Sequence, residues 1–353
     1  MKKIFFRILF FLNVVVAAAL ALSYLAPVIS PARIAVPAYF GLAYPYLLLA
    51  NIAMVVVWAM CLKAEAFISV AVIAVGINHF TNYIKLSKTK DNKAGSFMVT
   101  SYNVKMFNQL DKRNANSESA ILRLLKESNA DIVCLQEVLI TGNVAAKKHA
   151  MQSALDWEYT MCDKLLKTSG IMILSKYPVV GHGEVVHHES SGLTIYADVL
   201  IDSDTVRIYN NHLQSYRLKR MDRPFVEEII AEDETMNEVK KLWVSLKGGF
   251  VKRSQQALTL KEHINTSRHP VIVAGDFNDT PISYTYRTIR KSLNDSFVNS
   301  GYGAGFTYRG NYPPNRIDYI LYDKRVSNSN FEVLKARYSD HYPITAWFRK
   351  TGK

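Results

Sequence analysis

The chain divides near residue 86 into two parts of sharply different composition. Upstream of that point, long apolar runs carry few charges, whereas the sequence downstream has the mixed composition of a soluble domain. A membrane span needs about 20 predominantly apolar residues. The division therefore predicts a membrane segment over residues 1–84, a short charged linker over 85–96 and one soluble domain over 97–350.

Three apolar stretches in the first part are candidate transmembrane helices. They cover about Ile8–Ile29, Tyr39–Leu62 and Ala66–Phe80. The first two are long enough to span a bilayer, and the third is shorter. A secretory signal peptide would instead have one short apolar region followed by a cleavage site. About three transmembrane helices are therefore predicted.

The basic N-terminus sets the expected orientation of these spans. Lys2, Lys3 and Arg7 precede the first span and favour a cytoplasmic start. With three spans the soluble domain would emerge on the outer, periplasmic face of the inner membrane, and with two it would stay cytoplasmic. The third span is followed by four lysines, Lys85, Lys88, Lys90 and Lys93. These favour the cytoplasmic alternative, although long domains translocate largely regardless of charge. A multi-pass protein with an outward-facing domain is predicted, and a cytoplasmic domain stays open as the alternative.

The soluble part alternates strand-like runs with amphipathic helices. Apolar residues at helical spacing predict a helix over 117–128. The predicted strands cover residues 97–107, 131–136, 170–178, 193–201, 205–213, 270–274, 316–322 and 342–348. Residues 217–266 have few strand features and are predicted to form a helical insertion, interrupted at Gly248-Gly249 and bordering the cleft.

Polar residues lie at the ends of these strand-like runs. They are Asn103, Glu137, Asn211-His212, Asp276 with Asn278, Arg316 with Asp318, and Asp340-His341. Each alone has a structural explanation, such as a surface carboxylate, an Asp/Asn turn or a buried structural histidine. Together they provide carboxylates, amides and two imidazoles on separate strands. That set is typical of a phosphoesterase site that uses a hard metal ion.

Two of these elements have a spacing that indicates a shared direction. Asp276 and Asn278 are two residues apart, so in an extended chain both point the same way while Phe277 turns into the core. The same reasoning places Arg316 and Asp318 on one strand face. An acid beside an amide can orient one water molecule.

Two motifs in combination identify a family resemblance. Gly275-Asp276-Phe277-Asn278-Asp279 and Ser339-Asp340-His341-Tyr342-Pro343, in this order, resemble the endonuclease/exonuclease/phosphatase superfamily, the DNase-I-like metal-dependent phosphoesterases. The resemblance spans roughly residues 97–350. It implies an α/β fold, a four-layer α-β-β-α sandwich with the site at one end. The preceding spans resemble those of membrane-attached bacterial members.

The resemblance also implies a metal site. Glu137 would be the principal Mg²⁺ ligand, Asn103 would help arrange the metal side, and Asp340 would complete the metal region. Mn²⁺ or Ca²⁺ could substitute for Mg²⁺. Some nuclease members carry an Asp at the position of Lys105, so a second metal carboxylate is missing here. A two-metal description therefore stays open.

The remaining implied roles concern catalysis. Asp276 would orient or deprotonate the attacking water, with Asn278 beside it. His212 would hold a phosphate oxygen or assist the leaving group. Asp318 would orient His341, which would stabilise the developing phosphoryl charge. Whether Asp276 or His341 is the general base stays open at this point.

Four residues are predicted to contact the substrate. They are Asn211, Lys105, Tyr308 and Arg316. Lys105 could contact a substrate phosphate or point to solvent, and Tyr308 belongs to an aromatic cluster that could stack on a base, a sugar or a lipid headgroup.

Phosphoester hydrolysis by in-line attack of water is the leading hypothesis for function. Tethering beside a bilayer favours a lipid or other small phosphorylated substrate. The formal net charge of +13 instead fits a nuclease acting on DNA or RNA. A third hypothesis is an anchored binding protein without catalysis. The lipid bilayer is the expected partner of the N-terminal helices, and no protein partner is inferred.

Overall fold

The computed structural model describes most of the chain. The described residues are 2–87, 96–108, 117–140, 142–156, 160–166, 169–188, 190–216, 234–310 and 314–350. Lys88, Lys90 and Lys93, and residues 217–233 of the predicted insertion, lie outside them.

The helices and strands are numbered in chain order. The helices of the described residues are α1 (Lys2–Ser23), α2 (Val36–Leu42), α3 (Tyr44–Met60), α4 (Ala66–Val75), α5 (Ile77–Phe80), α6 (Ser117–Ser128), α7 (Val144–Leu155), α8 (Glu234–Asn265), α9 (Tyr284–Arg290) and α10 (Ser296–Ser300). The strands are β1 (Ile84–Lys85), β2 (Phe97–Asn103), β3 (Ile132–Leu139), β4 (Thr160–Leu166), β5 (Ser169–Ser175), β6 (Val179–Glu184), β7 (Leu193–Ile201), β8 (Asp204–His212), β9 (Val271–Asp276), β10 (Asn294–Asp295), β11 (Gly303–Ala304), β12 (Asp318–Tyr322), β13 (Val326–Val333) and β14 (Ile344–Lys350).

The chain forms two compact units. The first contains the residues up to Tyr83 together with Tyr216–Gln255 and Asp279–Thr288. The second contains the remaining residues, Ile84–Ser215, Gln256–Asn278 and Ile289–Lys353.

Polar side chains lie inside the helical bundle of the first unit. Asn13 of α1, Asn51 of α3 and Ser69 of α4 are fully buried. Ser69 Oγ lies 2.6 Å from Asn13 Oδ1 and 2.9 Å from Asn51 Oδ1. The amide nitrogens of the two asparagines donate to main-chain carbonyls, including Glu65 O at 3.0 Å and Val16 O at 3.1 Å. These hydrogen bonds join α1, α3 and α4.

Ring contacts define the two ends of this bundle. Phe6, near the start of α1, stacks on Trp58, near the end of α3, with centroids 6.0 Å apart. At the opposite end, Tyr44 lies 6.3 Å from Tyr24 and 5.5 Å from Tyr83, which follows α5. Helix α1 therefore runs in one direction, α3 runs in the opposite direction, and α4 with α5 runs in the direction of α1.

The helices are less regular than the sequence predicts. In the part of the chain that the structure describes, α1 is the one helix long and apolar enough to cross a membrane, and α2 with α3 passes the same test only as a pair bent by 70°. By length and composition this gives one or two spans where the sequence predicts about three, because α4 has only 10 residues. Pro37 and Pro45 lie in the first turns of α2 and α3, where proline begins a helix but cannot continue a preceding one. The third apolar stretch is divided between α4 and α5 at Gly76.

The second unit contains two six-stranded sheets. The first sheet has the order β10-β12-β9-β8-β7-β6, and the second has the order β13-β14-β2-β3-β5-β4. Strands β8 and β9 are parallel, as are β2 and β3, and the other paired neighbours in these sheets are antiparallel. A two-stranded sheet of β1 and β11 is separate.

Alternating side chains give this unit its layers. Val99 and Ile132 face the other sheet and share a core with Ile208 and Ile272, whereas Met98 and Val133 pack with α6 and α7. On the outer face of the first sheet, the last turns of α8 pack on β8, where His263 Nδ1 lies 2.8 Å from the Tyr209 hydroxyl. The arrangement is the predicted four-layer α-β-β-α sandwich.

Three local predictions differ from the structure. The strand predicted over 97–107 ends at Asn103, and a 3₁₀ turn follows over Lys105–Asn108. The strand predicted over 316–322 begins at Asp318. The helix α8 runs through Gly248-Gly249 without interruption, because Gly weakens an isolated helix by only about 1 kcal/mol, which packing can offset.

Candidate active site

Strand pairing brings the predicted polar residues together. Because β8 and β9 are parallel, His212 and Asp276 are neighbours at their carboxyl ends. The antiparallel strand β12 places Asp318 directly opposite Asp276. In the second sheet the parallel pair β2 and β3 places Asn103 beside Gln136, so Glu137 follows immediately.

Asn103 connects the two sheets at this edge. Its Nδ2 donates to Glu137 Oε1 at 3.1 Å and to Asp276 Oδ2 at 3.0 Å. Its Oδ1 accepts from the main-chain nitrogen of Lys105 at 3.0 Å. The buried Asn103 amide thus binds one carboxylate from each sheet, and the main chain at Lys105 holds the amide oxygen.

Glu137 leaves the regular strand geometry. Its φ is 52°, a left-handed conformation that is uncommon for residues other than glycine. The register of β3 against β5 shifts between Leu135 and Val138, which is a β-bulge around this residue. Such a conformation costs on the order of 1–3 kcal/mol. The bulge directs the Glu137 carboxylate, which is partly exposed, toward Asn103 and His212.

Asp276 is a buried carboxylate with several hydrogen-bond donors. Besides Asn103, it accepts from the Asn278 main-chain nitrogen at 2.8 Å and from Asn278 Nδ2 at 3.3 Å. Burial and the neighbouring Asp318 carboxylate raise the pKa of Asp276, while His341, His212 and Asn278 oppose that rise. A raised pKa suits a carboxylate that must accept a proton near neutral pH.

His341 and Asp318 form a buried ion pair. His341 Nδ1 lies 2.9 Å from Asp318 Oδ2, and His341 Nε2 lies 3.8 Å from Asp276 Oδ2. Burial alone would lower the pKa of His341, but the Asp318 and Asp276 carboxylates outweigh it and raise the pKa to about 10. His341 therefore carries a positive charge at neutral pH.

His212 faces the carboxylates of Glu137 and Asp276. Its Nε2 lies 3.4 Å from Glu137 Oε1 and 3.9 Å from Asp276 Oδ2. This nitrogen is buried, and among the described residues it has no hydrogen-bond partner. A buried polar atom of this kind is normally satisfied by a bound group or water.

Below these residues lies an amide pair that was not among the predicted site residues. Gln136 Nε2 donates to Asn210 Oδ1 at 2.6 Å, and Asn210 Nδ2 donates to Leu135 O at 2.9 Å and Met172 O at 2.7 Å. The pair joins the sheets one layer beneath Glu137 and His212. Its sequence position, one or two residues before predicted site residues, is the feature that could have indicated it.

Two overlapping sets of residues could hold a metal ion. Asp276, Asp318 and His341 offer ligand atoms within 4.8 Å of one another. The positive charge of His341 and its engagement by Asp318 oppose a cation at that position. Glu137 and Asp276, bridged by Asn103, offer the oxygen ligands that Mg²⁺ prefers, and the unsatisfied His212 nitrogen lies beside them. The second set fits a hard cation better.

Lys105 and Asp340 are paired with each other. Lys105 Nζ lies 2.9 Å from Asp340 Oδ2, and both side chains are partly exposed. Among the described residues, Asp340 does not belong to the cluster of Asp276, Asp318 and His341 that could hold a metal ion. Tyr308 lies beside this region, with its ring 5.2 Å from the His341 ring in an edge-to-face contact.

Two predicted substrate contacts lie elsewhere. Arg316 is fully buried, and its Nη2 lies 2.5 and 2.7 Å from the two oxygens of Asp295. Because β12 begins only at Asp318, the alternation that would place Arg316 beside Asp318 does not apply. Asn211 is also buried, accepting from Thr194 and donating to Ala274 O, because adjacent strand residues point to opposite faces. Neither side chain is available to a substrate.

The two packed sheets, with a buried imidazolium and carboxylates held by amides at one end, define a metal-dependent phosphoesterase. The chain belongs to the Endonuclease/Exonuclease/phosphatase family, whose family model matches residues 100–341. Residues 6–83 match a second family model, a domain of unknown function (DUF8431). None of the curated proteins matches the chain.

Several solved structures share the fold of the second part. D. rerio TDP2 complexed with a single-strand DNA product is 16% identical, with 72% of this chain and 99% of that chain covered and a TM-score of 0.54. The endonuclease/exonuclease/phosphatase from Bacteroides vulgatus is 18% identical, with coverage of 72% and 99% and a TM-score of 0.54. A mannosyl-6-phosphatase of Bacteroides thetaiotaomicron is 16% identical, with coverage of 72% and 100% and a TM-score of 0.54.

Proposed function

We propose that the protein is a membrane-anchored, Mg²⁺-dependent phosphoesterase that hydrolyses its substrate by in-line attack of water. The observation that carries this proposal is the buried His341–Asp318 pair, which faces an Asp276 carboxylate held by Asn103 and Asn278. A fixed positive charge and a proton acceptor, side by side, are what phosphoryl transfer to water requires.

The proposed cation would be held by Glu137, whose orientation Asn103 fixes, together with water and substrate oxygens, so that Asp276 beside it stays available as a base. When bound, Mg²⁺ supplies Lewis acidity that polarises the phosphoryl group and lowers the pKa of a bound water. Asp340 is not assigned to this set, because its carboxylate is already paired with Lys105.

The roles of the protein's own groups follow from their charges. His341 is protonated at neutral pH, so it can donate to a phosphoryl oxygen but has no free lone pair to act as a base. Asp276, with its raised pKa, is therefore the proposed general base. Asn278 holds Asp276 and helps to orient the water. His212, with its unsatisfied Nε2, is the proposed contact to a phosphate oxygen or the leaving group.

Lys105 and Tyr308 are the proposed substrate contacts at the rim. The Lys105 ammonium, held by Asp340, would attract an anionic substrate group, and the Tyr308 ring would border the scissile phosphate beside His341. Both side chains are partly exposed, so a substrate can reach them.

Membrane anchoring is supported by the inverted polarity of the helical bundle. Phe11, Leu49 and Phe67 are 66%, 62% and 71% exposed, whereas Asn13 and Asn51 are completely buried. A water-soluble bundle has the opposite arrangement, while membrane helices pack through small and polar residues. At 1.5 Å per residue, the 22 residues of α1 extend about 33 Å, close to the ~30 Å of a bilayer core. Three crossings of the inner membrane, with a cytoplasmic N-terminus, are proposed.

A membrane-held phosphoester is the proposed substrate class, either a phospholipid headgroup or another small phosphorylated molecule at the bilayer. Tethering raises the effective concentration of such substrates without any further contact. One protein with a similar structure is a mannosyl-6-phosphatase, which supports a small phosphorylated substrate. Nuclease activity is the second candidate, favoured by the net charge of +13 and by the TDP2 structure with a DNA product.

The test uses the full chain in proteoliposomes. Hydrolysis of a monoester dye, a diester dye, a phospholipid panel and single-stranded DNA is measured in Mg²⁺ and in a chelator. Glu137→Gln and His341→Gln should each abolish turnover. The matched controls Glu184→Gln and His263→Gln should retain it, since Glu184 pairs with Lys164 and His263 with Tyr209.

The outcomes separate the candidate functions. Wild-type rates in both site variants would refute the assignment. Cleavage of DNA that falls steeply with added salt would favour the nuclease. Tight binding of a substrate without turnover under all metal conditions would favour an inactive anchored protein.

A further inference from the structure

One face of α8 exposes apolar and basic side chains together. Trp243 is 50% exposed and Val244 is 65% exposed. Lys240 and Lys247 are exposed on the same face, because positions 240, 243, 244 and 247 follow the i, i+3, i+4, i+7 spacing of one helical stripe. Tryptophan and valine flanked by lysines are typical of a helix that lies in a membrane interface.

The same part of α8 is bound to the helical bundle. The Tyr39 ring of α2 lies 4.1 Å from the Trp243 ring, and its hydroxyl donates to Trp243 O at 2.6 Å. Tyr39 also contacts Phe250 edge-to-face at 5.2 Å. These contacts lie within the first unit. Trp243 stays half exposed beside Tyr39, and Lys240, Val244 and Lys247 are exposed.

A buried ion pair fixes this attachment from beneath. Arg253 is completely buried, its Nε donates to Asp279 Oδ2 at 3.1 Å, and its guanidinium lies 4.2 Å from the Tyr216 ring. Nearby, Gly41 of α2 approaches Ile282 so closely that a Cβ would lie 2.8 Å from Ile282 O. The first half of α8 is thus a fixed part of the bundle.

The contacts also identify the end of the bundle at which α8 lies. Helix α2 connects α1 to α3, at the end marked by the rings of Tyr24, Tyr44 and Tyr83. The chain leaves the bundle at Tyr83. Leu62, which is 94% exposed, lies just after α3 at the opposite end. An element bound to Tyr39 therefore belongs to the end at which the chain exits.

We propose that the face of α8 formed by Lys240, Trp243, Val244 and Lys247 lies in the interface of an anionic bilayer, on the side where the chain leaves the bundle. The inference rests on the proposed membrane anchoring and extends it to a second element. Trp243 and Val244 contact the acyl-chain boundary, and the lysines contact lipid phosphates. The bilayer is the favoured occupant because the stripe is continuous with a bundle whose outer surface is apolar, and because its charge is opposite to that of anionic lipids.

Quenching by brominated lipids tests the contact. The full chain is reconstituted in liposomes with brominated acyl chains, and the fluorescence of the wild type, Trp243→Phe and Trp347→Phe is compared. The quenchable fraction should fall in Trp243→Phe and persist in Trp347→Phe. Trp243→Tyr, which keeps a ring against Tyr39, provides a second variant if the first fails to fold. Lys240→Gln with Lys247→Gln should reduce the effect of anionic lipid on this quenching.

Cysteine labelling tests the side. In a full chain whose native cysteines are replaced, Arg33→Cys, Leu62→Cys and Lys241→Cys are treated in cells with a membrane-impermeant maleimide. Lys241 is exposed on α8 outside the stripe, so its cysteine should stay in water. Residues 33 and 241 should label from one side and residue 62 from the other. Labelling of 241 together with 62 would overturn the proposal, as would equal quenching with and without Trp243.

Alkaline extraction separates the two levels of the inference. Release of the wild-type chain from membranes at high pH would refute the anchoring itself, and the α8 proposal with it. Retention of the chain without quenching at Trp243 would refute only the α8 proposal. A disulfide crosslink between two copies of the Val244→Cys variant would assign this face to a second chain and would also count against the α8 proposal.

Discussion

Replacement of Asp318 by Asn tests the central charge arrangement of the site. His341 is 5% exposed, and its Nδ1 lies 2.9 and 3.2 Å from the two oxygens of Asp318. The pKa of His341 rises from 6.5 to about 10 in this environment. A rise of that size corresponds to a preference of about 5 kcal/mol for the charged form, shared between Asp318 and Asp276.

The variant should lose part of that preference in a defined pH range. Since the folded pKa of His341 lies above its unfolded value, the pair stabilises the protein fully below about pH 6.5, and the stabilisation is lost as the pH rises toward 10. Breaking a buried pair costs about 3–5 kcal/mol when the remaining charge cannot be neutralised. His341 can release its proton, so we expect Asp318→Asn to cost about 2–3 kcal/mol at pH 7.

Activity should fall more than stability does. Loss of the imidazolium removes a charge and a donor, which we expect to lower kcat by about 10²–10⁴-fold. The alkaline limb of the pH–rate profile should move to lower pH, because the pKa of His341 falls toward its ordinary value. The measurements are kcat against pH and urea unfolding of the full chain in detergent.

Asp295→Asn is the matched control. Asp295 forms a buried pair with Arg316 away from the site, and an Asn still accepts from the first turn of α10. Arginine cannot neutralise itself, so this variant should lose about 3–5 kcal/mol while the folded fraction keeps its kcat and pH profile. An unchanged alkaline limb in Asp318→Asn, or the same kcat loss in both variants, would refute the reasoning.

Three further predictions concern separate parts of the chain. Asn278, with a φ of 52°, should tolerate glycine within about 1 kcal/mol in unfolding experiments, yet Asn278→Gly should lower kcat at least about tenfold because Asp276 loses the amide donor. Burial lowers the pKa of His187 from 6.5 to about 4, so the unfolded chain takes up this proton before the folded chain does. The free energy of unfolding should therefore fall by at most about 3 kcal/mol as the pH drops from 6.5 to 4, and His187→Gln should reduce this pH dependence in urea unfolding. Ser69→Ala should weaken the helical bundle by about 0.6–2 kcal/mol in SDS titrations, and no change would contradict the packing role of its hydroxyl.

The position of the site could be predicted from sequence because strand ends are readable. Apolar runs that stop at a polar residue mark the edge of a sheet, and parallel neighbours bring those edges together. His212 and Asp276 end two such neighbouring strands in the structure, whereas Asp318 begins the antiparallel strand β12 opposite Asp276. This reasoning requires no knowledge of the loops between the strands.

The direction of individual side chains could not be predicted as well. The pairing of Arg316 with Asp295 depends on a strand beginning two residues later than the pattern indicates. The alternation of apolar and polar residues does not predict the bulge at Glu137, because the bulge arises from a shift in the register between β3 and β5. Lys105 binds Asp340, from a segment more than two hundred residues away in the chain, and composition carries no information on such a contact.

The helical part shows the same limit in a different form. The length of an apolar run predicts a membrane span. The break between α2 and α3 is caused by Pro45, and a count of apolar residues does not reveal it. The attachment of α8 to Tyr39 joins residues about two hundred positions apart, and no local pattern indicates it. That residues 217–266 border the cleft stays a prediction, and within their described part α8 contacts Tyr39 of α2.

The left-handed backbone at Glu137 has a consequence for how this enzyme can change over time. A glycine or asparagine at position 137 would relax the strand, so the site residue itself is among the places where substitution gains stability. Selection for heat resistance alone, without a demand for turnover, should therefore remove the carboxylate early. A thermostable lineage that had lost its substrate would be expected to show glycine or asparagine there, while the buried Asn103 remained to hold the sheets together.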